Sequence, residues 1–141
     1  MIYLDTSALL KLYFIEDESE RVQQYVMQQS DPLPIWELQQ FEMLNAFRLK
    51  VFWGDITAAD ADKLLVMFDR RLSNGQYFCP EINRSELMST FRNLTKLTPD
   101  TGCRTMDILH VACALQLSPD LFISFDERQR NLAEIAGLQV H

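Results

Sequence analysis

Residues 1–10 read Met1-Ile2-Tyr3-Leu4-Asp5-Thr6-Ser7-Ala8-Leu9-Leu10, and this stretch decides the fold. Three apolar residues in succession stop at an acid, and two hydroxyls and a new apolar segment follow. A short apolar run bounded in this way predicts a strand buried on both faces, as in a parallel sheet. Thr6 or Ser7 can cap the helix that follows, and Leu9, Leu12 and Tyr13 have the spacing of one helical face. Asp5 then lies at the carboxyl end of a central strand, where open α/β sheets place their sites. Asp5 can equally be a helix cap and nothing more, and these ten residues alone leave both readings open.

The same logic recurs near the other end of the chain. Leu121-Phe122-Ile123-Ser124-Phe125-Asp126 is again an apolar run closed by a hydroxyl and an acid. Asp126 with Gln129 also satisfies a capping pattern for a helix over Glu127 to Ala136, ended by Gly137 before a last strand at Leu138–Val140. Upstream, Met106 to Leu115 is apolar nearly all round and predicts a buried helix, capped by Thr105. Its only polar groups are Asp107 and His110, both near its N-terminal end, which suggests that this end faces a site. The macrodipole alone can account for Asp107, and a core hydrogen bond for His110.

Between these ends the signals alternate. Glu16 to Glu20 precedes a helix with Val22, Tyr25 and Val26 on one side, and Leu33 to Trp36 predicts a strand that Pro34 confines to an edge. Glu37 to Phe52 reads as a helix with Leu38, Phe41, Leu44, Phe47 and Val51 along one side. Within it Glu42 sits beside Asn45, and a solvated face is its ordinary reading. Gly54-Asp55 is a turn, and Thr57 with Asp60 resembles a capping box for a helix with Leu64, Leu65, Phe68 and Leu72 inward. A short strand over Gln76 to Cys79 and a helix from Asn83 to about Leu97 come next, followed by a loop at Thr98–Gly102. Strands alternating with helices predict one domain over residues 1–141, a three-layer α/β/α sandwich with a mainly parallel central sheet.

The chain has 141 residues, of which 48% are hydrophobic, enough for one globular core. No apolar run approaches the roughly 20 residues of a membrane span, and the strand starting at the first residues leaves no room for a signal peptide. Cys79, Cys103 and Cys113 form no C-x-x-C pair, so buried thiols in a reducing cytoplasm are expected rather than disulfides or zinc. The formal net charge of −7 argues against a nucleic-acid ligand, because phosphate binding rests on cations. Gathering four acids around metal ions would leave −7 + 4 = −3 before the metals' own charge.

Asp5 and Asp126 meet if their strands are neighbours, and Asp107 and Glu42 could converge on the same place. Four carboxylates in one cleft cannot all ionise without compensation, and divalent cations supply it. The chemistry that suits such a set is metal-assisted hydrolysis of a phosphodiester.

The pieces Ile2–Leu9, Phe41–Arg48, Arg104–Ala112 and Phe122–Gln129, in that order, resemble the PIN-domain family and in particular its VapC-type ribonuclease toxins. The resemblance implies Asp5, Glu42, Asp107 and Asp126 as the catalytic and metal-holding acids around Mg²⁺ or Mn²⁺. It also implies Thr6 and Ser124 as hydroxyls that orient them, Ser124 standing where the family usually has Thr. Arg104, Arg92 and Lys96 are the candidate RNA contacts. An RNA substrate, a cognate antitoxin that blocks the cleft, a homodimer and a cytoplasmic location complete what it implies.

Two other functions compete. In one, the acids are caps and the chain is a binding protein presenting Tyr13, Phe14, Phe52 and Trp53. In the other, Asp5 is the nucleophile of an aspartyl-phosphate phosphatase, but Ser7 stands where that chemistry needs a second acid.

Overall fold

A computed structural model describes residues 1–141. In chain order the elements are β1 (Ile2–Leu4), α1 (Thr6–Leu10), α2 (Ser19–Met27), β2 (Leu33–Pro34), α3 (Glu37–Phe52) and α4 (Ala58–Ser73). Then come β3 (Tyr77–Phe78), α5 (Arg84–Leu94), a 3-10 turn (Thr95–Leu97), α6 (Thr98–Thr101), α7 (Thr105–Leu117), β4 (Leu121–Ile123) and α8 (Glu127–Ile135). They fall into two compact units, one made from both ends of the chain (Met1–Leu9 with Glu81–His141) and one from Leu10–Pro80.

In the first unit β1 and β4 pair in parallel, with Ile2 opposite Leu121, Tyr3 opposite Phe122 and Leu4 opposite Ile123. The Asp5 amide extends the ladder by donating to the Ile123 carbonyl at 3.0 Å. On the other side of β4 the C-terminal segment runs parallel, with Phe122 N–H donating to Gln139 at 2.8 Å and His141 N–H to Phe122 at 3.0 Å. The predicted last strand is thus an extended segment joined at Phe122–Val140. Tyr3, Phe122 and Ile123 are fully buried, as a two-faced parallel strand requires. Tyr3 stacks on Phe122 at 5.5 Å. Helix α7 contributes Ile108, Val111, Ala112, Cys113 and Ala114 to this core, in line with its all-round apolar sequence.

The second unit holds β2 and β3, also parallel, with Leu33 opposite Tyr77 and Pro34 opposite Phe78. Leu33 N–H donates to Gln76 and Ile35 N–H to Phe78, so Pro34, lacking a donor, faces the unpaired side. Helix α4 opens with the expected capping box: Asp60 N–H donates to Thr57 Oγ1 at 3.1 Å and Thr57 N–H to Asp60 Oδ2 at 3.0 Å. Phe47 packs edge-on to Tyr13 at 5.2 Å, and Phe68 lies 5.9 Å from Tyr77.

The α/β class and the parallel pairing agree with the sequence reading, with the strands assigned as two two-stranded pieces, one in each unit. Several details differ. On α3 the buried stripe is Gln39, Met43 and Phe47, while Phe41 is 58% exposed and Leu44 is exposed as well. Apolar residues occupy both sides of α3, so periodicity could not select the inner one. The segment Thr98–Thr101 is a helical turn rather than a loop, with Pro99 at its start, where a missing N–H costs nothing. Thr105 is the first helical residue of α7 instead of its cap. Cys79 is exposed, unlike Cys103 and Cys113. Tyr13 and Phe14 are half-buried in the second unit's aromatic cluster, whereas Phe52 and Trp53 are exposed. No helix is long and apolar enough to cross a membrane.

These placements predict unequal costs on one helix. Phe47→Ala should destabilise the protein by about 3–5 kcal/mol, the cost of emptying a packed aromatic site. Phe41→Ala should cost no more than about 0.5 kcal/mol, as a surface substitution. Urea unfolding of the two variants checks the assignment, and equal losses would reverse it.

Candidate active site

Asp5 follows β1 directly and is only 5% exposed. It also begins α1. Its Oδ1 accepts from the Ala8 N–H at 2.7 Å and from Ser7 Oγ at 2.8 Å, so the carboxylate caps the helix from within. Its Oδ2 receives Ser124 Oγ at 2.9 Å and Ser7 Oγ at 3.0 Å. The parallel register makes the contact with Ser124 unavoidable, because residues 5 and 124 each follow a paired position, Leu4 opposite Ile123. Ser124 therefore donates to Asp5 across the two strand ends. Ser7, offered by the sequence reading only as a helix cap, supplies the other hydroxyl. Thr6 Oγ1 lies 3.3 Å from His110 Nε2, whose Nδ1 is 2.8 Å from the Tyr3 hydroxyl, so His110 is a hydrogen-bonded core group beside β1.

Asp126 is the N-cap of α8. Its Oδ1 accepts from the N–H groups of Arg128 (2.9 Å) and Gln129 (3.0 Å), leaving Oδ2 with only the distant Arg128 guanidinium at 3.8 Å. Asp107, in the first turn of α7, uses Oδ2 to accept the Arg104 N–H at 3.0 Å, with Arg104 Nε 3.6 Å away. Its Oδ1 has no hydrogen-bond partner, and the side chain is 14% exposed. The three candidate acids in this unit thus all sit at helix N-termini, and Asp107 and Asp126 each keep one oxygen without a hydrogen bond.

Gln129 ties them together, and the sequence reading missed it as a site residue. It is 1% exposed, its Nε2 donates to the Asp107 carbonyl at 3.2 Å, and its Oε1 stands 2.6 Å from Ser124 Oγ. The Asp107 carbonyl fixes the amide orientation, so an acceptor must face Ser124. Ser124 Oγ accepts from the Asp126 N–H at 3.1 Å and has one proton for two neighbouring acceptors, Asp5 Oδ2 and Gln129 Oε1. One of those contacts lacks a hydrogen as long as Asp5 is ionised. The only sequence signal for Gln129 was its spacing of three from Asp126, which reads as a cap.

Burial pushes the Asp5 carboxyl above its usual pKa, against the opposing pull of His110, the Ala8 N–H, Ser7 and Ser124. Cys103, buried with its thiol donating to the Arg128 carbonyl at 3.1 Å, is raised chiefly by burial. Its thiol also feels Asp107 and Asp126, whose negative fields therefore overlap.

The chain matches the PIN domain family over residues 2–135. It belongs to that family. Among solved structures it is similar to FitAcB from Neisseria gonorrhoeae, with a TM-score of 0.68 and 16% identity over 99% of this chain and 96% of the other. It is also similar to VapBC-1 from nontypeable Haemophilus influenzae, with a TM-score of 0.66 and 16% identity over 100% and 97%. These likenesses show the PIN fold. A comparison with curated proteins found no match.

A PIN domain's divalent ion would find hard oxygen donors here, two with an uncommitted oxygen, and a buried carboxylate whose charge nothing yet neutralises. The donor set fits such an ion in chemistry. It does not stand as a finished chelate, since within this unit no three acid, histidine or cysteine side chains are grouped closely enough to hold a metal. Glu42 lies in the other unit, half-buried on α3. Arg92 and Lys96 are exposed on α5 and the following turn, and Arg104 is 75% exposed beside Asp107.

The charge of Asp5 opposes the metal-free fold. A carboxyl whose folded-state pKa is raised contributes stability below its unfolded pKa and loses that contribution as pH rises through the folded value. Asparagine keeps the helix cap and can donate to Ser124 Oγ, whose proton then goes to Gln129. Asp5→Asn is therefore expected to melt higher than the unsubstituted protein in chelator at pH 8. The gap should close as pH falls into the carboxylate range. A lower melting temperature for the variant at pH 8 would contradict this.

Proposed function

We propose that this PIN domain is a metal-dependent endoribonuclease and the toxin of a toxin–antitoxin pair. The observation that carries the reading is the buried Asp5 carboxylate at the paired ends of β1 and β4, linked through Ser124 and Gln129 to the backbone of Asp107. A negative charge so placed needs a compensating cation, which is what a nuclease site uses. Asp5 and Asp107 are the firmest ligands in this reading, Asp126 acts directly or through water, and Glu42 is a ligand or the group that positions the attacking water. A bound Mg²⁺ or Mn²⁺ would ease deprotonation of that water and steady the charge on the phosphate.

The chain's own groups do the rest. Ser7 and Ser124 hold Asp5 in one rotamer, and Gln129 holds Ser124 in register with α7. Arg104 stands beside Asp107 with most of its guanidinium in solvent, suited to a phosphate next to the ligand it borders. An RNA substrate suits the shape-based recognition open to a protein of net charge −7. An antitoxin partner is supported by the likeness to VapBC-1 and FitAcB, and the exposed Phe52 and Trp53 suit such a contact or a homodimer.

Incubation of total RNA with the purified protein tests this, using Mg²⁺, Mn²⁺ or chelator. Discrete fragments should form only with metal, and Asp5→Asn and Asp107→Asn should each lower the rate by about 100-fold or more, the scale of a lost metal ligand or second-shell group. Cleavage by Asp5→Asn at the unsubstituted rate would end the proposal for that residue. A melting temperature indifferent to millimolar Mn²⁺, with no cleavage, would favour the binding-protein reading instead.

A further inference from the structure

The Leu10–Pro80 unit contains a cavity of about 520 Å³ between the C-terminal half of α2, the segment leading into β2, and the end of α4 with the start of β3. That volume is within the range of small-molecule sites. Its wall combines Leu12, Val26 and Leu33 with Gln23 and Gln29. One cation lines it, Arg71, in the last turn of α4.

Arg71 is half-buried and forms no ion pair. The guanidinium lies 4.7 Å from the centroid of Tyr13 and 5.7 Å from that of Tyr77, which fixes its plane. Its Nη1 donates to Tyr77 Oη at 2.8 Å, and Tyr13 Oη donates to the same oxygen at 3.0 Å. The cluster therefore has five guanidinium N–H groups and two phenolic protons for two phenolic oxygens. Donors exceed acceptors, and the charge has no counter-ion. Tyr13 does not supply one, because burial, reinforced by Tyr77, drives its phenol well above its usual pKa and keeps it neutral. The acid on the wall, Asp31, is exposed and makes no ion pair with Arg71.

A half-buried arginine that forms no ion pair, stacks on two tyrosines and lines a cavity with an apolar side is the complement of one kind of molecule. We propose that this cavity binds a small organic oxyanion, its phosphate or carboxylate on Arg71 and its apolar body against Leu12, Val26 and Leu33. Arginine favours such groups because its fork matches two oxygens at once. None of Asp5, Asp107 and Asp126 lines the cavity, so the site is separate in composition from the acids of the first unit.

Calorimetric titration in chelator tests this with phenyl phosphate, phenylacetate, inorganic phosphate and benzyl alcohol as probes. Phenyl phosphate, phenylacetate or both should bind the full chain, and the stronger of them identifies the oxyanion. Arg71→Gln should weaken that binding about tenfold or more, the scale of a lost charge-assisted hydrogen bond. Gln23→Trp, at an exposed wall position, should block it with Arg71 retained, so the test survives if Arg71→Gln folds poorly. Asp5→Asn should bind as the unsubstituted chain does, which separates this cavity from the acid site. Failure of both aromatic anions to bind, or binding unchanged by Gln23→Trp, would overturn the proposal. Equal affinity for benzyl alcohol would overturn the oxyanion, and equal affinity for inorganic phosphate would overturn the apolar contact.

Discussion

Burial of one carboxylate, that of Asp5, is the constraint on which the first unit depends. An ionised group out of water needs hydrogen bonds or a cation, and here the bonds come from two pieces of chain. The Ala8 N–H and the Ser7 hydroxyl come from α1, and the Ser124 hydroxyl comes from just past β4, 119 positions away. The parallel register of β1 and β4 is what delivers Ser124, since a slip of one residue would turn its side chain to the opposite face. Ser124 in turn is gripped by the Asp126 N–H and by Gln129, and Gln129 reaches the backbone of α7. The ends of the chain are thus joined around a group whose own charge they only partly satisfy.

Cap and site were separate readings of Asp5 and Asp126 at the level of sequence; the structure shows both acids as caps, and the proposed metal site would use the same carboxylates. An acid at a helix N-terminus spends one oxygen on backbone N–H groups, as Asp126 Oδ1 and Asp107 Oδ2 do, and keeps the other. The cap fixes the rotamer and the helix dipole favours the charge, which are the two conditions a metal ligand needs. A capping pattern is therefore no evidence against function when the helix starts at a strand's carboxyl end.

What was legible in the sequence follows from which features are local. Strand ends, the Thr57–Asp60 box, the Asn83 cap and the glycine stops are set by residues within four positions of one another, and all appear where their motifs stand. The buried face of α3 is not local. Phe41 and Phe47 are equally apolar, and only the second unit's aromatic cluster decides that Phe47 and Met43 turn inward with Gln39. Gln129 was hidden for a related reason. Its spacing from Asp126 has a complete local explanation, so the long-range bonds to Ser124 and Asp107 left no separate trace. Ser7 and Thr6 are adjacent hydroxyls at one helix start, and the backbone conformation of that start alone put Ser7 on the carboxylate.

The arginines show how an acidic chain can still present positive charge to an anion. Arg104, Arg128 and Arg48 each stand beside an acid, at 3.6, 3.8 and 2.8 Å, so their fields are largely spent at short range and screened by solvent. Net charge counts these pairs as zero and so says little about any one place. Arg71 has no acid beside it, and tyrosine faces cover the guanidinium in place of water. A single cation of that kind, in a partly buried wall of low polarisability, exerts a stronger local field than several solvated pairs. Charge averaged over the sequence argues against nonspecific affinity for a polyanion. It leaves open a tight grip on one oxyanion at one partly desolvated guanidinium.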